Sequence, residues 1–280
     1  PEFRKKHGAD ITDAFEANAI DEVELEQTAK TSPEWEQPQE REPDKPLRDE
    51  TAQLIESGRS IAELAKMPVD HSKTLLGKNR WLCRGARAGL IISSTGAGKS
   101  TAITQAAIFW SLGDAAFGIE PSRPLRILIV QAENDDGDSS EAAEGIMRHF
   151  GVDEEQLAEV AERTLSIALR GKTGLDFLIT LRALCKCWKP DLVIVDPLGV
   201  YLGDDPKDAE AAGAFLDGPL GINKLTADLD IGALIVCHTP KTNHRDTTGW
   251  NSSQWAYASA GAAVINDSTV CSLIIDQADD

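Results

Sequence analysis

The stretch GLIISSTGAGKS, Gly89 to Ser100, constrains this chain more than any other. A short apolar run, Leu90 to Ile92, enters a glycine-containing turn, and Thr101 to Leu112 continues as an apolar-periodic helix. Strand, glycine turn and helix in this order are the context in which a P-loop holds phosphate. Gly96 and Gly98 allow the backbone to curl so that successive N–H groups point inward, and the helix N-terminus adds a favourable partial charge for an anion. The residues expected to bind ATP are therefore Ser94, Thr95, Gly96, Ala97, Gly98, Lys99, Ser100 and Thr101. Lys99 would reach the β- and γ-phosphates, and the Ser100 hydroxyl would ligate Mg2+. Ser93 stands where the strict G-x-x-x-x-G-K-S pattern has its first glycine.

Downstream, strands and helices alternate. Leu125 to Gln131 is almost wholly apolar, as a strand buried on both faces should be, and it delivers Glu133 to its C-terminal end. Ligands gather at that end of parallel sheets, so Glu133 is placed to orient and deprotonate an attacking water. Asp135 and Asp136 are expected to begin an acidic loop before a helix near Ser140 to Phe150. Asp191 to Pro197 is the next buried strand, and its terminal Asp196 has the placement of a Walker B acid that holds Mg2+ beside the P-loop serine; Asp191, ahead of the apolar run, is the weaker candidate. Leu198 onward is expected to be a loop, followed by a helix broken near Gly218 and Pro219. The strand Ile231 to Cys237 ends at His238, a candidate sensor of the γ-phosphate or its water. A helix near Gln254 to Ala263 and a strand Val270 to Ile275 follow. The chain stops at DQADD without a closing element, leaving room for a continuation past residue 280.

Composition limits what this core can do. The chain has 280 residues and a formal charge of -18, so no global positive field draws it to nucleic acid, and any such contact needs a local basic patch or several copies in a ring. Lys241, His244 and Arg245 form a basic cluster, and no Lys or Arg follows Arg245. Five scattered cysteines suit a reducing compartment; the Cys185/Cys187 pair has no second cluster to complete a zinc site. With no secretory segment and no run of about 18 uncharged apolar residues, a cytoplasmic protein with no membrane contact is expected. Residues 1–70 form an acidic, partly disordered arm. Ser32 to Asp49 reads as linker around Trp35, and Asp49 to Lys66 as one broken helix or two short ones. Arg84 and Arg87 lie close to the P-loop in sequence, with surface ion pairs their expected role.

The order P-loop, strand with Glu133, strand with Asp196 and strand with His238, together with HTPK and the later Ser252-Ser253, resembles the RecA-type ATPase core of the RepA-like hexameric helicases of plasmids and phages. The resemblance runs from about Leu75 to the C-terminus, and Leu76 to Arg84 resembles the entry of that group. It implies an α/β RecA-like P-loop NTPase core over residues 71–280, with a mostly parallel central sheet and flanking helices. It further implies a homo-oligomeric ring, usually of six subunits, that binds ATP between neighbours and moves on single-stranded DNA. By position, Lys99 and Ser100 bind phosphate and Mg2+, Glu133 is the catalytic base, Asp196 is Walker B, and His238 couples phosphate to a channel loop. Lys207 and Lys241 to Arg245 lie where channel loops should be, while the family's late basic finger has no counterpart after Arg245. The alternative is an ATP-dependent scaffold whose acidic arm recruits a replication protein. A small-molecule kinase fits less well, because Glu133 and His238 fall at strand ends in the RecA order and no arginine-rich lid is visible.

Overall fold

The structure is a computed structural model that describes residues 45–93, 96–238 and 263–275. The chain divides between Pro68 and Val69 into two units.

In the first unit, α1 spans Lys45–Ser57 and α2 spans Ile61–Leu64. The stretch Asp49 to Lys66 thus contains two helices. Ser60 caps α2 through a reciprocal box, with Glu63 N–H donating to the Ser60 hydroxyl and the Ser60 N–H to the Glu63 carboxylate. Helix α1 starts inside the stretch read as linker. Pro46 falls in its first turn, where a missing N–H costs no helical hydrogen bond.

In the second unit a two-stranded hairpin, β1 (Thr74–Leu76) and β2 (Leu82–Cys83), precedes a six-stranded sheet. The sheet strands are β3 (Gly89–Ser93), β4 (Ile127–Gln131), β5 (Thr164–Ala168), β6 (Leu192–Asp196), β7 (Gly232–His238) and β8 (Ser272–Ile275). Their order is β5-β4-β6-β7-β3-β8, and every pairing is parallel. The nearly continuous apolar runs follow from this architecture, because alternate residues face opposite layers. Leu90, Ile92, Val193, Val195 and Ile235 face one layer, with α6 (Gly174–Trp188), α7 (Leu198–Leu202), α8 (Ala209–Asp217) and α9 (Ile222–Leu229) packed against them. Ile91, Ile127, Ile194, Leu234 and Val236 face the other, covered by the hairpin and α3 (Lys99–Leu112). Helices α4 (Asp136–Phe150) and α5 (Glu154–Arg163) pack on α3, and α10 (Ala263–Asp267) precedes β8.

Two expectations fail for identifiable reasons. Asp135 does not begin a loop: it is the N-cap of α4, in a capping box with Asp138, so the helix starts at Asp136 rather than near Ser140. The run after Asp196 is not all loop, because Leu198, Tyr201 and Leu202 are buried on one side of the single turn α7, which Gly203 terminates at φ 75°. The helix expected near Gln254 to Ala263 falls almost wholly outside the described residues.

At the end of the sheet opposite to Asp196, Arg123 donates two hydrogen bonds to Asp191, at 3.0 and 2.6 Å, and the Arg126 N–H adds a third at 2.9 Å. Asp191 therefore fastens the start of β6 to the segment leading into β4, which removes it from the metal-binding candidates.

Candidate functional site

The sheet order brings the expected site together. Four adjacent strands, β4, β6, β7 and β3, carry Glu133, Asp196, His238 and the P-loop at their C-terminal ends. Ser93 pairs with His238 in the β3–β7 register and is fully buried. Gly96 and Gly98 have φ of +86° and +75°, a region costly for other residues. A Cβ on either would meet nothing within 4 Å, so the glycines serve the backbone turn and leave room beside it. Gly98 is the N-cap of α3 and makes no side-chain capping bond. The first N–H groups of α3 therefore lack the usual side-chain acceptor and suit an anion. Ser94 and Thr95 lie outside the described residues, as do Lys241, His244 and Arg245. Ala97 is half-buried and Thr101 exposed.

Lys99 is buried, at 7% exposure, and its charge acts on both Asp196 and His238. Asp196 is 5% exposed, and its Oδ1 is buried without a hydrogen-bond partner. Burial pushes the Asp196 carboxyl up to about 6, Glu133 adds to the rise, and Lys99 opposes it. Asp196 and Ser100 line one cavity, and a carboxylate and a hydroxyl are oxygen donors of the kind suited to Mg2+. That cavity, of about 150 Å3, runs behind α3.

Glu133 is held by its strand end. The Ala132 N–H donates to the Asp196 carbonyl at 3.1 Å, fixing the exit of β4 against β6. Its Oε1 then lies 3.6 Å from His238 Nε2. His238 titrates below the ordinary histidine value, first through burial and then through Lys99, with Glu133 opposing. At neutral pH His238 is thus an uncharged imidazole, and its separation from Glu133 is longer than an ordinary hydrogen bond.

Sequence reasoning passed over two polar groups here. Gln131 is buried and donates to Ser139 at 3.0 Å and Ser166 at 3.3 Å, closing the polar end of the cavity; its signal was a lone amide ending an aliphatic strand. Tyr201, hidden in the supposed loop, is fully buried and stacks on Phe177. Other candidates stand apart. Lys207 is exposed in a turn with Asp204, Asp205 and Asp208, and its N–H donates to Asp205 at 2.9 Å. Arg84 pairs with Asp230 at 3.7 Å, and Arg87 donates to the Asp267 carbonyl at 2.9 Å; both brace the fold.

A parallel α/β sheet with a glycine turn opening a helix, and with acids at the ends of neighbouring strands, defines a P-loop ATPase of RecA-like architecture. The chain belongs to the AAA domain family, whose model matches residues 59–244. No curated protein sequence matches it. Among solved structures it is similar to a KaiC-like protein from the hyperthermophilic archaeon Pyrococcus horikoshii OT3, with 14% identity, a TM-score of 0.47, and coverage of 75% of this chain and 82% of that one. Among the described residues no helix is long and apolar enough to cross a membrane.

Proposed function

We propose that this ATPase is the subunit of a homo-oligomeric ring, hexameric by its resemblance to RepA-like helicases, that translocates on single-stranded DNA, as a translocase or a helicase, in the cytoplasm during replication of a plasmid, phage or other mobile element. The observation that carries this reading is the meeting of Glu133 and His238 at 3.6 Å across the end of β6. The chain leaves His238 directly into the segment with Lys241, His244 and Arg245, so a group beside the hydrolytic carboxylate is continuous with the chain's late basic cluster.

In this reading Lys99 and the N–H groups opening α3 bind the terminal phosphates of ATP, with Ala97 and Thr101 on the flanks of the cradle. Ser100 and Asp196 hold Mg2+, which supplies charge neutralisation for the phosphates when bound. Glu133 accepts the proton of the attacking water. His238, uncharged at neutral pH, follows the position of Glu133 as that proton arrives and passes the change to the following segment.

Steady-state ATPase with and without single-stranded DNA, across protein concentrations, tests the motor. The rate per subunit should rise with both. Rates flat in both would sink the translocase. Glu133→Gln should retain Mg-ATP and lose turnover by about 100-fold or more; wild-type turnover in that variant would place the base elsewhere, with Asp135 next in line. Lys99→Ala should remain folded yet bind Mg-ATP weakly, and calorimetry showing unchanged affinity would reject the phosphate assignment.

The net charge of -18 and the acids around Lys207 favour a second reading. There the ATPase is a scaffold whose nucleotide state sets assembly and whose acidic N-terminal segment recruits a replication protein. Stimulation by a protein partner but not by DNA distinguishes it.

A further inference from the structure

Arg170 is a cation at the site's end of the sheet that the ATPase chemistry above leaves unused. It follows β5, the edge strand beside β4. In the β4–β5 register Gln131 pairs with Ala168, and the Leu169 N–H carries the pairing one step further by donating to the Gln131 carbonyl at 2.8 Å. Glu133 and Arg170 each lie two residues beyond this last register pair, so the two chain exits leave the sheet together. There Arg170 Nη2 donates to the Asn134 carbonyl at 2.9 Å. The ordinary use of an exposed arginine is a surface ion pair, as its neighbour Lys172 makes with Asp176 at 2.8 Å. Arg170 makes none among the described residues, and its hydrogen bond goes to the residue after Glu133.

The Glu133 side chain is 49% exposed, and the His238 imidazole, 3.6 Å away, is beyond an ordinary hydrogen bond. Its direction is therefore set by the residues that flank it. Ala132 is fastened to β6, where its N–H meets the Asp196 carbonyl at 3.1 Å. Asn134 is fastened from the opposite side by Arg170, through a hydrogen bond that the guanidinium charge strengthens. We infer that Arg170 is a positioning residue for Glu133: by holding the Asn134 carbonyl it completes a two-sided clamp on the exit of β4 and keeps the carboxylate facing the attacking water. A misplacement of about 1 Å in such a group can cost about 100-fold in rate. The inference rests on Glu133 being the base, and it adds the group that keeps this base in place.

The test is Arg170→Ala in the full chain, with kcat and KM for Mg-ATP measured beside nucleotide affinity by calorimetry and the urea unfolding midpoint. The kcat should fall about tenfold, the worth of one hydrogen bond from a charged group, while KM, affinity and midpoint stay at wild-type values. A wild-type kcat overturns the inference. So does a rise in KM with kcat unchanged, which would mark a direct contact with nucleotide, or a rate loss that only follows a lowered midpoint. Arg170→Lys keeps a charged donor on a long stem and should return kcat to within about threefold of wild type; a lysine variant as slow as the alanine one also overturns the inference. Glu133→Gln and the double variant complete a cycle in single-turnover hydrolysis. The Arg170 effect should vanish once the carboxylate is gone, and an undiminished effect would show that Arg170 acts on something else. If Glu133→Gln itself turns over at the wild-type rate, the assignment of the base falls first. If Glu133→Gln is inactive and Arg170→Ala matches wild type, only the role of Arg170 falls.

Discussion

Asp196 shows what a buried carboxyl at the candidate site costs the fold. Its carboxyl has an ordinary value of 3.8 and titrates at about 6 in the folded chain, chiefly because burial penalises the charge. Between those values the folded state retains a proton that the unfolded state releases, so this group's contribution to stability falls as pH rises through the window and is lost above it. Two units correspond to an upper bound of about 3 kcal/mol. Asp196→Asn should therefore raise the nucleotide-free unfolding free energy at pH 8 by about 1–3 kcal/mol while lowering the Mg2+-dependent ATPase. The difference should shrink toward pH 4. A destabilised variant at pH 8 in a urea titration would show that Lys99 outweighs burial at this carboxylate. His238 has the opposite sign. Its value is lowered, mainly by burial and then by Lys99, so its contribution is present above the unfolded histidine value and is lost as pH falls below it.

At the level of elements, the fastening of β6 by Asp191 is separate from the chemistry at the other strand end. Burial alone would raise the Asp191 carboxyl, but the Arg123 and Arg126 hydrogen bonds and the Arg123 charge overcome that and lower it. Asp191→Asn should cost about 1–2 kcal/mol at pH 7, and the penalty should fade as pH drops through the lowered value. The ATPase of the folded variant should match wild type, so a rate loss at full folding would contradict the separation. The sheet was readable because apolar runs such as Leu192–Val195 have no other solution in a parallel layer, and the P-loop because its glycines answer a backbone need. Helix α7 was not readable: five residues give too little periodicity, and Leu198, Tyr201 and Leu202 gain their helical state from the layer beneath. The same holds for β1 and β2, three and two residues long, which pair only across a tertiary hairpin. Asp135 carried the signal of a cap, and its acidic neighbours disguised it as loop.

For the whole molecule, the proposed DNA binding has assembly as its condition, because a single chain carries a charge of -18. The expectation is that single-stranded DNA binds an oligomer formed in Mg2+ and a slowly hydrolysed ATP analogue, that the affinity falls steeply with salt, and that Lys241→Ala with Arg245→Ala abolishes it. Anisotropy on size-separated species decides: equal binding by the double variant, or none by a confirmed ring in low salt, leaves the scaffold ahead. The position of β3 bears on how the protein comes into being. This strand carries the phosphate loop and is made early, yet its neighbours in the sheet, β7 and β8, are residues 232–238 and 272–275. On the ribosome β4, β5 and β6 can pair first, while β3 waits for β7 and β8, and long-range parallel pairing of this kind is slow. Pulse-labelled hydrogen exchange during refolding should find the amides of Ile127 to Gln131 protected before those of Leu90 to Ile92, and the reverse order would refute it. The nascent chain should thus engage nucleotide only after both late strands, 232–238 and 272–275, have been made, so that the phosphate loop precedes by well over a hundred residues the strands that seat it.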